Sequence, residues 1–245
     1  MLVDVHAHLD NELFLDINKI LENAKDSNVS AIINCGLNKE SNRKTMELSK
    51  KFGIIKPALG FYPCYAESKS KENILKEIEW IKKNKPFAIG EIGMDGKEGK
   101  NLEVQKEYLL LFLKLAKELD IPAIIHSRKA EAETLKIIKE FGYKKIVMHC
   151  FTGNRALFNA ASDMDLYFSI PVTVIKSLQF QEMVKDIKLT RILTETDAPF
   201  LGPEQGILNE PKNITLSIKK ISEIKKINHE ECEKIIFMNY QRLFL

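Results

Sequence analysis

A chain of 245 residues, 44% hydrophobic and 29% charged, carries enough apolar material for one sizeable core and is excluded from the disordered class. No run reaches the roughly 20 apolar residues of a membrane span, and MLVDVHAHLD lacks the basic and apolar regions of a signal peptide, so a cytoplasmic protein is expected. The net charge of +3, spread as lysines among glutamates, neither supports nor excludes a nucleic-acid partner and points to no stable protein partner.

Along the chain, short apolar runs read as strands at Leu2–Val5, Ala31–Asn34, Lys56–Leu59, Phe87–Ile89, Ala123–Ile125, Ile146–Met148, Leu166–Ser169 and Arg191–Leu193. Their nearly unbroken hydrophobicity suits parallel strands covered on both faces. Between them, apolar residues recur every three or four positions. Phe14, Ile17, Leu21 and Ala24 form one helical stripe; Ile74, Leu75, Ile78 and Ile81 form another; Leu109, Phe112, Leu113 and Ala116 form a third. Eight such repeats predict an α/β fold, a single (β/α)8 TIM-type barrel occupying residues 1–245 without a linker. GMDGKEGKN, after the fourth strand, lacks the Gly-Lys-Ser/Thr ending of a P-loop and reads as a flexible loop. FLGPEQGILNEPK, after the eighth, reads as a βα loop. Cys35, Cys64, Cys150 and Cys232 form no CxxC pair and read as reduced thiols; Cys150 has no dedicated base to make it a nucleophile.

The chemistry concentrates at strand ends. Of five histidines, His6, His8, His126 and His149 fall at or just after the C-terminal end of a predicted strand. Glu91 ends the fourth strand and Asp197 follows the eighth. That rim is where barrel enzymes assemble their sites. In extended chain, His6 and His8 point to one face, so both imidazoles can grip one ion. The carboxylate of Glu91 has two oxygens and can bridge two cations about 3.5–4 Å apart. Asp197 suits binding one cation and accepting a proton from a water whose pKa that cation lowers. Imidazoles and carboxylates together suit Zn²⁺, Mn²⁺ or Co²⁺, with Mg²⁺ also acceptable. Arg128, two residues beyond His126, suits bidentate contact with a phosphate or, alternatively, an ion pair with a carboxylate such as Glu133. His229 lies in a polar stretch far from any strand end and reads as a surface residue.

These pieces resemble the TatD-type metal-dependent deoxyribonucleases, within the amidohydrolase-like barrels. The matching segments are HAHLD at 6–10, GEIGMD at 90–95, Gln105 and IPAIIHSRKA at 121–130, HCFTG at 149–153, ETDAPFL at 195–201, NEP at 209–211 and NYQRLF at 239–244. They occur in family order over essentially the whole chain. The resemblance implies that His6, His8, Glu91, His126, His149 and Asp197 are the metal ligands, that Glu91 is shared by two divalent cations, that Asp197 and Glu91 act in catalysis, and that DNA is the substrate, with Arg128 near a phosphate. Two positions depart from the family. A histidine that usually faces the phosphate in a Gly-x-His-Pro stretch is Tyr62 here, a hydrogen-bond donor without charge near neutrality. The residue before NEP, often arginine, is Leu208.

Two other functions fit part of the pattern. One is a metal-dependent amide, lactone or ester hydrolase, against which Glu91 counts, because many such barrels carry a carbamylated lysine after the fourth strand. The other is a non-catalytic nucleic-acid-binding scaffold, against which the absence of a basic stripe and the complete ligand set count.

Overall fold

The computed structural model describes residues 1–245. Eight strands, β1 (Leu2–Ala7), β2 (Val29–Cys35), β3 (Ile55–Leu59), β4 (Ala88–Asp95), β5 (Ala123–Arg128), β6 (Ile146–His149), β7 (Tyr167–Ile170) and β8 (Ile192–Thr194), alternate with ten helices. The helices are α1 (Ile17–Asp26), α2 (Lys39–Lys51), α3 (Pro63–Ala66), α4 (Lys71–Asn84), α5 (Leu102–Leu119), α6 (Glu131–Phe141), α7 (Arg155–Asp163), α8 (Leu178–Asp186), α9 (Ile214–Lys225) and α10 (His229–Phe244). The strands lie in sequence order, each parallel to the next, as the alternating pattern predicts. No helix is long and apolar enough to cross a membrane.

Side-chain alternation divides the core in two. One set, including Leu2, Ile32, Ile55, Leu59, Ile125 and Phe168, packs against helix residues such as Ile74, Phe112 and Ile138. The other set fills the barrel with compact side chains, Val3, Val5, Ala31, Ile33, Ala58, Ala88, Ile124, Val147 and Leu193. Tyr240, Leu243 and Phe244 of α10 join this inner cluster, and Phe87 stacks on Phe244 with ring centroids 5.7 Å apart. Asn239 fixes α10 by donating to the carbonyls of Leu189 and Ile192. The site residues gather at the other end, where the strands finish.

The predicted fourth strand stops at Ile89, whereas β4 continues to Asp95, so Glu91 lies inside the strand rather than at its end. The β4–β5 register slips by one residue between Ile89 and Ile92, and the β1–β2 register slips likewise between Asp4 and Ala7. Each slip is a bulge beside Glu91 or His6, and bulges re-aim side chains in a way that hydrophobic alternation does not reveal. Gly93 is required nearby: its φ is +146°, and a Cβ there would lie 2.0 Å from the His126 carbonyl oxygen.

The first and last strands meet without a regular ladder. The seam is closed by the turn after β8: the Asp197 N–H donates to the His6 carbonyl (2.9 Å), the His8 N–H to the Ala198 carbonyl (2.7 Å), and the Thr194 hydroxyl to the Val3 carbonyl (2.9 Å). The fully buried Asp4 completes it by accepting from the Thr196 N–H (3.0 Å), the Thr196 hydroxyl (2.5 Å) and the His6 N–H (3.2 Å). Thr196→Val keeps the volume but withdraws one donor from a buried carboxyl. It should cost about 1–3 kcal/mol in a urea titration; an unchanged midpoint would remove the seam from the list of stabilising features.

Candidate metal centre

Local structure brings all six predicted residues together. β1 delivers His6 and, one residue past its end, His8; their Nε2 atoms meet at 3.1 Å. The Oε2 of Glu91 lies 3.4 Å from His6 Nε2 and 3.6 Å from His8 Nε2, and the Oδ1 of Asp197 lies 3.5 and 3.3 Å from the same two atoms. Glu91 turns its other oxygen, Oε1, to His126 Nδ1 at 2.9 Å. His149 completes a second group with Glu91 and His126, their ligand-type atoms all within 4.8 Å of one another. Asp197 has a left-handed backbone, φ 58°, which aims its side chain back over β1.

The donor atoms fit a cation. Four donors at the corners of a tetrahedron with bonds of about 2.0–2.1 Å stand about 3.3–3.4 Å apart. The five separations that His6 and His8 make with each other, with Glu91 and with Asp197, 3.1 to 3.6 Å, bracket that value. Tautomers agree as well. His8 Nδ1 faces the Cys35 carbonyl at 2.8 Å, and a carbonyl only accepts, so in the neutral ring the hydrogen sits on Nδ1 and the Nε2 lone pair is left to face the cluster. His149 Nδ1 faces Glu195 at 2.7 Å and is fixed in the same way.

Three buried acidic side chains that the sequence reading did not single out support the predicted ligands. Glu195 accepts from His149, from the Cys150 N–H and from the Ser169 hydroxyl. Asp95 Oδ2 faces His126 Nε2 at 3.0 Å and accepts from the Tyr62 hydroxyl at 2.7 Å. Asp4 holds the Thr196 turn that carries Asp197. Their available signal was position: each shares a strand or motif with a predicted ligand. The GMDGKEGKN loop is pinned rather than loose, because Asp95 Oδ1 accepts from the Lys97 and Glu98 N–H groups and Gln105 bonds the Asp95 backbone.

The two predicted substrate contacts line the same cavity, of about 580 Å³, with His8, Glu91, His126, His149 and Asp197. Arg128 pairs with Glu98 at 2.9 Å; Glu133, the partner considered from sequence, pairs with Lys106 instead, because α6 directs it toward α5. Tyr62 spends its single O–H on Asp95. Leu208 is 42% exposed, and His229 is exposed beside Glu233.

Burial pushes every charge in this cluster toward neutrality, and the opposite charges overcome it at most positions. Burial would raise Glu91, but His126 and His6 hold it well below the usual carboxylate range. Burial would lower His8 and His149, yet Asp197 lifts His8 to about 9 and Glu195 lifts His149 to about 10. His6 is lowered, by burial and then by the neighbouring His149. In the cation-free protein, protons on His8 and His149 therefore balance the carboxylates.

A barrel whose rim gathers imidazoles around carboxylates has the architecture of metal-dependent hydrolases. The chain belongs to the TatD related DNase family, whose profile matches residues 3–245. It is 34% identical to the human deoxyribonuclease TATDN3 over 99% of this chain and 94% of that protein. It is 35% identical to the metal-dependent hydrolase YabD of Bacillus subtilis, over 100% of this chain and 99% of that protein. The crystal structure of YjjV, a TatD homologue of Escherichia coli, superposes with a TM-score of 0.91 at 25% identity, covering 99% of this chain and 97% of that one. Metal-dependent relatives and the clustered His, Glu and Asp side chains together support divalent metal use.

Two outcomes follow from this geometry. His8 and His149 are raised above the 6.5 of an unfolded chain, so their stabilising contribution is complete below pH 6.5 and is lost as pH climbs through about 9 and about 10. Chelator-treated protein should melt at falling temperature over that window. Adding Mn²⁺ at pH 7 in weak buffer should release protons, and less at pH 9; no release at pH 7 would contradict the proton balance. Second, Glu195→Gln should weaken cation affinity roughly 10- to 100-fold by calorimetry, and Tyr62→Phe, one bond further from the ligands, should weaken it less.

Proposed function

We propose that the chain is a deoxyribonuclease that hydrolyses phosphodiester bonds with two divalent cations, one held by His6, His8, Glu91 and Asp197 and the other by Glu91, His126 and His149. One observation carries this reading: the two oxygens of Glu91 face two different donor groups, Oε2 toward His6 and His8 and Oε1 toward His126. A carboxylate divided in this way is suited to bridging. Four imidazoles favour a transition metal, Zn²⁺, Mn²⁺ or Co²⁺, as the tightest binder, with Mg²⁺ acceptable. DNA enters as substrate from the deoxyribonuclease named among the relatives.

Bound cations would supply Lewis acidity for the phosphoryl oxygens and lower the pKa of the attacking water. The side chains do the rest. Asp197, only 17% exposed and held below the usual carboxylate range, accepts the water's proton on Oδ and passes it to the leaving oxygen. Arg128 exchanges Glu98 for a phosphate oxygen. Tyr62 touches substrate through its ring edge, since its hydroxyl serves Asp95. The four free thiols and the lack of a membrane-crossing helix suit a cytoplasmic setting.

Purified protein should shorten a labelled oligonucleotide in Mn²⁺ or Mg²⁺ and stop when EDTA is added. Asp197→Ala should reduce the rate at least about 100-fold. Cleavage of lactones or simple esters by a metal-loaded preparation that leaves DNA intact would replace this assignment with the carbon-centred alternative.

A further inference from the structure

The chain has 13 Phe, 6 Tyr and 1 Trp, and the fold buries or half-buries all but two of them. Tyr65 is 47% exposed and Phe200 is 46% exposed, and both line the cavity that contains the metal-ligand cluster. They approach it from different sides. Tyr65, on α3 after β3, packs edge-to-face on Tyr62 with centroids 5.4 Å apart, and Tyr62 packs on His126 at 5.0 Å. Phe200 follows β8, its N–H bonded to the Asp197 carbonyl at 2.8 Å, and its ring lies 6.2 Å from that of His8. One open ring therefore stands beside the His126 side of Glu91 and the other beside the His6–His8 side.

The cavity is poor in the usual anchor for a polyanion. Arg128 is its only lysine or arginine, and it is engaged by Glu98 at 2.9 Å with Asp95 at 3.9 Å. Leaving two large rings open to water forgoes the burial that the remaining aromatics obtain, roughly 25 cal/mol for each Å². A nucleobase offers such a ring an apolar face on which to stack, in water and without regard to sequence.

Resting on the deoxyribonuclease reading, we infer that Tyr65 and Phe200 are specificity-determining residues that stack the two bases flanking the scissile phosphate, so that the enzyme grips unpaired nucleotides through their bases more than through their phosphates. A base paired and stacked within a duplex has no free face to offer, so both flanking nucleotides must be unpaired.

The test compares wild type, Phe200→Leu, Tyr65→Leu and Phe200→Trp in the metal-loaded state on two short single-stranded oligonucleotides. One is intact; the other carries abasic residues on both sides of the bond that wild type cuts first. Each leucine variant should raise KM roughly 10-fold or more on the intact strand and leave KM on the abasic strand unchanged, whereas Phe200→Trp, which retains a ring, should stay near wild type on both. In a parallel binding titration, 2-aminopurine beside the scissile bond should be quenched by wild type and not by the leucine variants. Equal losses on both strands, or a tryptophan variant as poor as leucine, would overturn the stacking assignment while leaving nuclease activity in place. A wild type that cuts neither strand and quenches nothing would overturn the deoxyribonuclease reading together with it.

Discussion

Glu91 lies at the centre of a crowded electrostatic problem. Its carboxylate is buried with three imidazoles within reach of its two oxygens, and Asp197 shares two of those imidazoles. Charges removed from water are costly unless opposite charge and hydrogen bonds compensate them. Protons on the histidines can perform that compensation, and a divalent cation performs it better because it faces several donors at once. The seam, the bulges and the supporting carboxylates all hold Glu91 and its neighbours in this arrangement.

The supporting layer is built from backbone as much as from side chains. Asp4, Asp95 and Glu195 each accept from backbone N–H groups and also hold a candidate ligand or the turn that carries one. A carboxylate saturated in this way cannot easily rotate, so the imidazoles it orients do not wander. Asn209 extends the layer by donating to the Thr196 and Leu201 carbonyls, which anchors the turn containing Asp197 and Phe200. That turn joins three tasks: it closes the barrel against β1, presents Asp197, and holds an aromatic ring at the cavity mouth.

Tyr62 shows how a departure from a family pattern can change a residue's task. At the position where the sequence resemblance leads one to expect a histidine, the tyrosine hydroxyl bonds Asp95, and Asp95 holds His126. The side chain becomes part of the ligand support. With Arg128 already paired, the cavity is left with little free positive charge and much exposed ring surface.

Periodicity and residue type suffice to read eight βα units and to single out His6, His8, Glu91, His126, His149 and Asp197 as candidates, because a parallel barrel gathers the C-terminal parts of its strands toward one rim whatever the intervening sequence. The pairing of His6 with His8 was legible for a similar reason: alternation in extended chain is a local rule. The one-residue slips in β1 and β4 were not, since a bulge depends on how neighbouring strands register. The same holds for Glu195 under His149, Tyr62 on Asp95 and Arg128 on Glu98, each joined across at least 30 residues of chain. Sequence determined which chemical groups this protein gathers at one end of its barrel; tertiary structure alone decided which atom of each faces which, because that depends on distances between strands that no local pattern encodes.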